Sequence, residues 1–216
     1  MPQTQHLHRL AVIAAIAGLI AAFSPAASAQ GVLSEWKTVE APPPPELKTV
    51  TVDPQKTALL VMDFNQGNCV PGAPHAVPRC IRAVPKVKQL LAAARAHHML
   101  IVFTQFPHMP PFVKGLGPEK GNPMVVAWPN KFYGTDLGKI LKDHGIDTVI
   151  TAGMSANGAV LYTTLAAAQH GYKVVVPVDA APGPTAYAEQ FTVWGIANNP
   201  LIGRMSVLTS VDRIHF

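Results

Sequence analysis

The sequence predicts an α/β protein, a three-layer αβα arrangement built on a parallel sheet. Three observations predict it. Apolar runs of strand length recur along the 216 residues. Segments with apolar residues at helical spacing lie between them. Glycines and prolines mark the junctions. The runs are apolar throughout rather than alternating, as expected when helices cover both faces of a sheet.

The elements follow in order. "TALLVMDF" (57–64) is the first strand. Residues 84–97 predict a helix, with Val84, Val87, Leu90, Leu91 and Ala94 on one face and Pro85 in the first turn. "MLIVFTQF" (99–106) is the second strand. Residues 107–130 read as a Pro/Gly-rich loop, longer than most connections and therefore a candidate for shaping a pocket. "GTDLGKILKDHG" (134–145) is a helix with Thr135 as N-cap and Gly145 as stop. "IDTVITAG" is a strand, 159–170 a helix, "YKVVVPVDA" a strand, 185–198 a helix and "MSVLTS" (205–210) the last strand.

Three domains of sequence precede one another along the chain. Residues 1–29 have the form of a secretory signal peptide: Arg9, an apolar run over 10–23, and Ala27-Ser28-Ala29 as the cleavage site. The run is shorter than the roughly 20 residues a membrane span needs. An uncleaved anchor is the competing reading. With cleavage after Ala29 the mature chain is expected to be periplasmic or secreted, with no membrane attachment. Residues 30–50 form a Pro-rich arm, whose four consecutive prolines favour an extended segment. Residues 51–216 form the main domain.

The formal charge of +5 is mild, and no Lys/Arg cluster with interleaved aromatics occurs, which argues against a nucleic-acid partner. A small-molecule substrate is the expected partner. His75, His108 and His170 lack metal-ligand spacing, and no CxxC or HxxxH pattern is present, so neither a metal nor another cofactor is expected. Export would put Cys69 and Cys80 in an oxidising compartment, where a disulfide between them competes with two free thiols.

In a parallel sheet with covered faces, ligands bind at the carboxyl ends of the strands. The segments to watch are therefore 63–68, 104–106 (which begins at Thr104), 153–159 and 179–181. Asp63 at a strand end is a candidate general acid or base, against the alternative of a cap on the turn "DFNQGN". Lys131 is a candidate charge stabiliser, against a solvated surface lysine. Ser155, Asn157 and Gly158 lie in a turn that opens a helix, where free N–H groups can hold an oxyanion or carboxylate, against an ordinary βα connection. Phe106 and Trp128 are candidates for an apolar pocket wall, against burial in the core.

"TALLVMDFNQG", "KFYGTDLGKILKDHGIDTVITAG", "NGAVLYTTLAAAQHGYKVVVPVDA" and the "WGIANNP" tail with "VLTS" together resemble the isochorismatase-like (cysteine) hydrolases. The resemblance covers the chain from about residue 55 to 216 and implies a Rossmann-like fold and a homo-oligomer. It also implies an Asp base, a Lys charge stabiliser and a Cys nucleophile acting on amides, ureas and related small molecules; some members cleave a vinyl ether instead. Asp63 matches the Asp. Lys131 matches approximately, since the usual lysine falls several residues earlier, at Val126. Ala159 stands where the Cys would be, which excludes thiol catalysis at that position. Three readings follow: natural non-thiol chemistry, a binding relative without activity, or an engineered Cys→Ala variant.

Overall fold

The computed structural model describes residues 31–216, so the expected signal peptide lies outside the described residues. The chain forms two units, divided after Pro42. In the first, the short helix Val32–Glu35 buries none of its residues. The second begins at Pro43, so the last residues read as an arm belong to it. Within it the Lys48 N–H donates to Leu208 O at 2.8 Å, and Val50–Thr51 pairs in parallel with Ile214–His215.

Six strands build the main sheet: β1 (Thr57–Met62), β2 (Leu100–Gln105), β3 (Met124–Val126), β4 (Thr148–Gly153), β5 (Lys173–Pro177) and β6 (Ser206–Thr209). All pairings are parallel, and the order is β3-β2-β1-β4-β5-β6. The order reverses between β1 and β4, which makes their carboxyl ends the switch point at which such sheets take ligands.

The continuous apolar runs are explained by two cores, one on each face. Along β1, Leu59 and Val61 pack with Cys80, Val87, Leu90, Leu91 and Ala94 of helix α1 (Pro78–Ala96). Ala58, Leu60 and Met62 face the other way. There they meet α2 (Leu137–Asp143), α3 (Leu161–Gln169) and α4 (Ala186–Asn198). Each fully buried aliphatic side chain contributes about 1.5–3 kcal/mol. The three-layer arrangement is therefore the one the sequence predicts.

Three elements differ from the sequence reading. Helix α1 starts at Pro78, not residue 84, because Cys80 and Ala83 extend its buried stripe by two turns. Pro85 consequently sits inside the helix rather than in its first turn; it is solvent-exposed and has no N–H to give the residue four positions back. The 107–130 segment contains an edge strand, β3. The helix expected over 159–170 starts regularly at Leu161, after an irregular turn at Ala156–Val160.

Candidate active site

Asp63 follows β1 with its backbone in the left-handed region, φ 61°. For a non-glycine residue that conformation costs about 1–2 kcal/mol and persists only where neighbours enforce it. Here the Asp63 N–H donates to Thr104 O at 3.0 Å, tying it to the end of β2. Asn65 holds the other side. Its Nδ2 donates to Asp63 O at 3.1 Å, while its Oδ1 accepts from Gly67 N (2.9 Å) and Asn68 N (3.2 Å) and caps the short helix Gln66–Cys69. That helix is fastened by a Cys69–Cys80 disulfide to α1, Cα to Cα 5.0 Å.

Lys131 reaches Asp63 from 68 residues away in sequence. Its Nζ lies 3.0 Å from Asp63 Oδ1 and 2.8 Å from Oδ2, and donates to Ala127 O at 3.2 Å. Asp63 is 2% exposed and Lys131 0%. The Nζ also sits 4.4 Å from the centroid of the Phe106 ring, a cation–π contact. The Lys131 loop is held from α3: Thr163 Oγ1 accepts from Lys131 N at 3.3 Å and donates to Pro129 O at 3.0 Å. Thr163 stands one helical turn after Ala159, so the loop carrying Lys131 rests on the helix that the 153–160 turn opens.

Burial pushes the Asp63 carboxyl from 3.8 up to about 6; the Lys131 ammonium and a Phe106 N–H oppose this without cancelling it. Burial pulls the Lys131 ammonium down, opposed by Asp63. A carboxyl poised near 6 can give or take a proton at little cost near neutral pH.

Across the switch point, Gly153 pairs with Met62 so closely that a Cβ there would stand 2.8 Å from Met62 Cβ. Beyond it several of the turn's donors are already engaged. Gly158 N donates to Ser155 O at 3.1 Å, Val160 N to the same oxygen at 3.2 Å, and Ala156 N to Pro182 O at 2.8 Å. The Gly158 N–H expected to serve an oxyanion is thus engaged within the turn. A Cβ at position 158 would lie 2.8 Å from Ser155 Oγ, so a larger residue there would make the Ser155 side chain turn away. Ser155 is partly exposed and Asn157 exposed. Ala159 is 1% exposed and packs in the α2–α4 core.

Phe106 is half-buried and meets Trp128 edge-on, with ring centroids 5.6 Å apart. Trp128 itself is 66% exposed. Phe106 thus contacts both the buried Lys131 Nζ and the exposed Trp128 ring. Asp179, at another strand end, is structural: its Oδ1 accepts from Val211 N at 2.9 Å. Sequence reasoning missed Asn65 and Thr163. The turn-former at Asn65 was a visible signal; nothing local announced Thr163. Among the described residues, no group of three His, Cys, Asp or Glu side chains gathers as a metal site.

The family model described as the isochorismatase domain matches residues 57–205. The chain belongs to the isochorismatase family. A maleamate amidohydrolase from Pseudomonas putida is 30% identical over 149 residues, an alignment covering 56% of this chain and 70% of that relative. The uncharacterized isochorismatase family protein YwoC of Bacillus subtilis is 30% identical over 161 residues, covering 62% and 82%. Among solved structures, an isochorismatase family protein from Desulfovibrio vulgaris superposes with a TM-score of 0.67 at 22% identity, over 73% of this chain and 95% of that one. That likeness shows the fold. Within this isochorismatase-family chain, Asp63 follows β1 and the 153–160 turn follows the adjacent β4.

Proposed function

We propose that the protein is an exported hydrolase of small amides that works without a thiol. The observation that carries this reading is the buried Asp63–Lys131 pair at the switch point, taken with a family resemblance that puts Ala159 where a Cys nucleophile would stand. The Asp63 carboxylate takes a proton from water as that water attacks the amide carbonyl, then returns it to the leaving nitrogen. An ammonium has three donors; Lys131 gives one to Asp63 and one to Ala127 O, which leaves one for developing negative charge. The amidohydrolase relative supports an amide substrate, and maleamate is the first compound to try. The buried Cys69–Cys80 disulfide supports export. Tyr187, Phe191 and Trp194, exposed on one face of α4, support a homo-oligomer.

Asp63→Asn keeps the side-chain size. It is expected to lower turnover of maleamate or another small amide by about 10²–10⁴-fold with the fold intact. Full activity in that variant would overturn the assignment. Ala159 favours a second reading, a relative that binds its ligand without turning it over. Thermal stabilisation by small amides or carboxylates, with no product formed, would select that reading.

A further inference from the structure

Five buried side-chain atoms lack a hydrogen-bond partner among the described residues: Thr57 Oγ1, Asp63 Oδ2, Arg95 Nε, Thr104 Oγ1 and Ser206 Oγ. Buried polar atoms are nearly always paired, so each exception calls for an explanation. Thr57 opens β1 and Ser206 opens β6, at the amino ends of their strands. Arg95 is engaged through its other nitrogen, which contacts Gly117 O and Glu119. The remaining two belong to residues at the carboxyl ends of adjacent strands, joined by the Asp63 N–H to Thr104 O hydrogen bond.

Thr104 is fully buried. It pairs in register with Met62, and its carbonyl accepts the Asp63 N–H. The period of two along β2 places its side chain with Val102 and opposite to Phe103. Val102 and Met62 belong to the core that also holds Ala127, Phe132 and Ala159. Phe103 belongs to the other core. The Thr104 hydroxyl therefore lies on the side of the Lys131 loop and the Ala159 turn, next to the residue that precedes Asp63. A valine would fill the same volume with no orphaned hydroxyl. Asp63 Oδ2 touches Lys131 only as an ion pair at 2.8 Å and accepts no hydrogen bond in good geometry.

We propose that Thr104 Oγ1 and Asp63 Oδ2 together hold the hydrolytic water, with Thr104 as its positioning residue. This rests on the non-thiol hydrolase reading above. The hydroxyl fixes the water oxygen while Oδ2 accepts one of its protons. The O–H bond breaks toward Asp63 as the C–O bond forms at the substrate carbonyl. The C–N bond then breaks as the same proton passes to the nitrogen, freeing the amine and a carboxylic acid, whose remaining proton from the water is lost to solvent to give the carboxylate.

The test compares Thr104→Val and Thr104→Ser with wild type, using maleamate as the probe and ammonia release as the assay. Thr104→Val is expected to lower kcat about tenfold or more, the loss of one transition-state hydrogen bond, with KM changed less than about twofold. Its Tm is expected to hold or rise, because a buried hydroxyl without a partner destabilises the empty protein. Thr104→Ser is expected to retain most of kcat. A Thr104→Val protein with a lowered Tm and unchanged kcat makes the hydroxyl structural and overturns the proposal. Should wild type hydrolyse neither maleamate nor other small amides, the hydrolase reading falls. A high-resolution crystal structure then judges the site by itself. A water or ligand atom bonded to both oxygens supports the pairing. A Thr104 hydroxyl bonded to a protein group, with no solvent between, overturns it.

Discussion

Lys131 Nζ lies 3.0 Å from Asp63 Oδ1 and 2.8 Å from Oδ2, in a place where neither side chain meets solvent. Taking two charges out of water costs several kcal/mol each, and only their mutual attraction and added hydrogen bonds offset it. Lys131→Met removes one partner and strands a carboxylate. It is expected to destabilise the fold by about 3–5 kcal/mol near neutral pH. Asp63→Asn combined with Lys131→Met is expected to recover part of that loss, since no unpaired charge is left. Urea unfolding of both single variants and the double variant measures the coupling. Additive losses would mean the pair is not energetically linked.

The pH dependence follows from the same pair. Asp63 has a folded value of about 6, above its ordinary 3.8. Between these values the folded state binds more protons than the unfolded state, so this group's contribution falls as pH rises from about 4 to 6. The size is roughly 3 kcal/mol, present in full below 4 and gone above 6. Other carboxylates titrate in the same window, so the quantity to measure is wild type minus Asp63→Asn. That difference curve is expected to slope downward over this range. If Asp63 acts as the base, kcat/KM rises with pH through an inflection near 6 that Asp63→Asn lacks.

Residues 57–62 and 148–153 were legible as strands because both their faces are covered, and no polar residue had to alternate with the apolar ones. The three residues of β3 were not. They form an edge strand with only Val125 buried, inside a stretch whose prolines and glycines dominate the local signal. Asp63 was legible because a carboxylate at the end of an apolar strand is chemically conspicuous. Lys131 was legible as a residue type but not as a partner. Its reach depends on Thr163, 32 residues further on, and that hydrogen bond leaves no periodic trace in the sequence. The donors at Gly158 were misjudged because an irregular turn can satisfy its own N–H groups where a regular helix start leaves them free.

The Cys69–Cys80 bond closes a separation of 11 residues and fastens the segment that follows Asp63. A loop of this length is worth about 3 kcal/mol through the unfolded chain. Cys69→Ala combined with Cys80→Ala is expected to lose about that much in denaturant. Because Asn65 and Asp63 hang from the same segment, kcat is expected to fall as well. A double variant with full stability would show that the bridge contributes nothing to either.

Tyr187, Phe191 and Trp194 repeat at helical spacing on the exposed side of α4, while Ala188, Thr192 and Ile196 take the buried side. A large apolar patch of this kind on a surface helix marks an association site. Phe191→Glu combined with Trp194→Glu is expected to shift the protein to monomer in sedimentation velocity, leaving its circular dichroism unchanged. A wild type that sediments as a monomer would remove the homo-oligomer from consideration.

Ala159→Cys tests the proposal that position 159 is where a Cys nucleophile would stand. The site is buried and small, so the added sulfur is expected to cost about 1–3 kcal/mol in packing. Thiolate formation is favoured by a nearby ammonium and by a base of suitable pKa, the two groups that the Lys131–Asp63 pair would supply if it acts on this position. The new thiol is therefore expected to react with iodoacetamide at pH values below its ordinary range. It is also expected to form a covalent acyl adduct with maleamate, detectable by mass spectrometry as ammonia is released. An Ala159→Cys protein that alkylates only at high pH would show that the pair does not act on this position. An adduct that forms and turns over would show that the Asp63–Lys131 pair supports acyl transfer to a thiol at position 159.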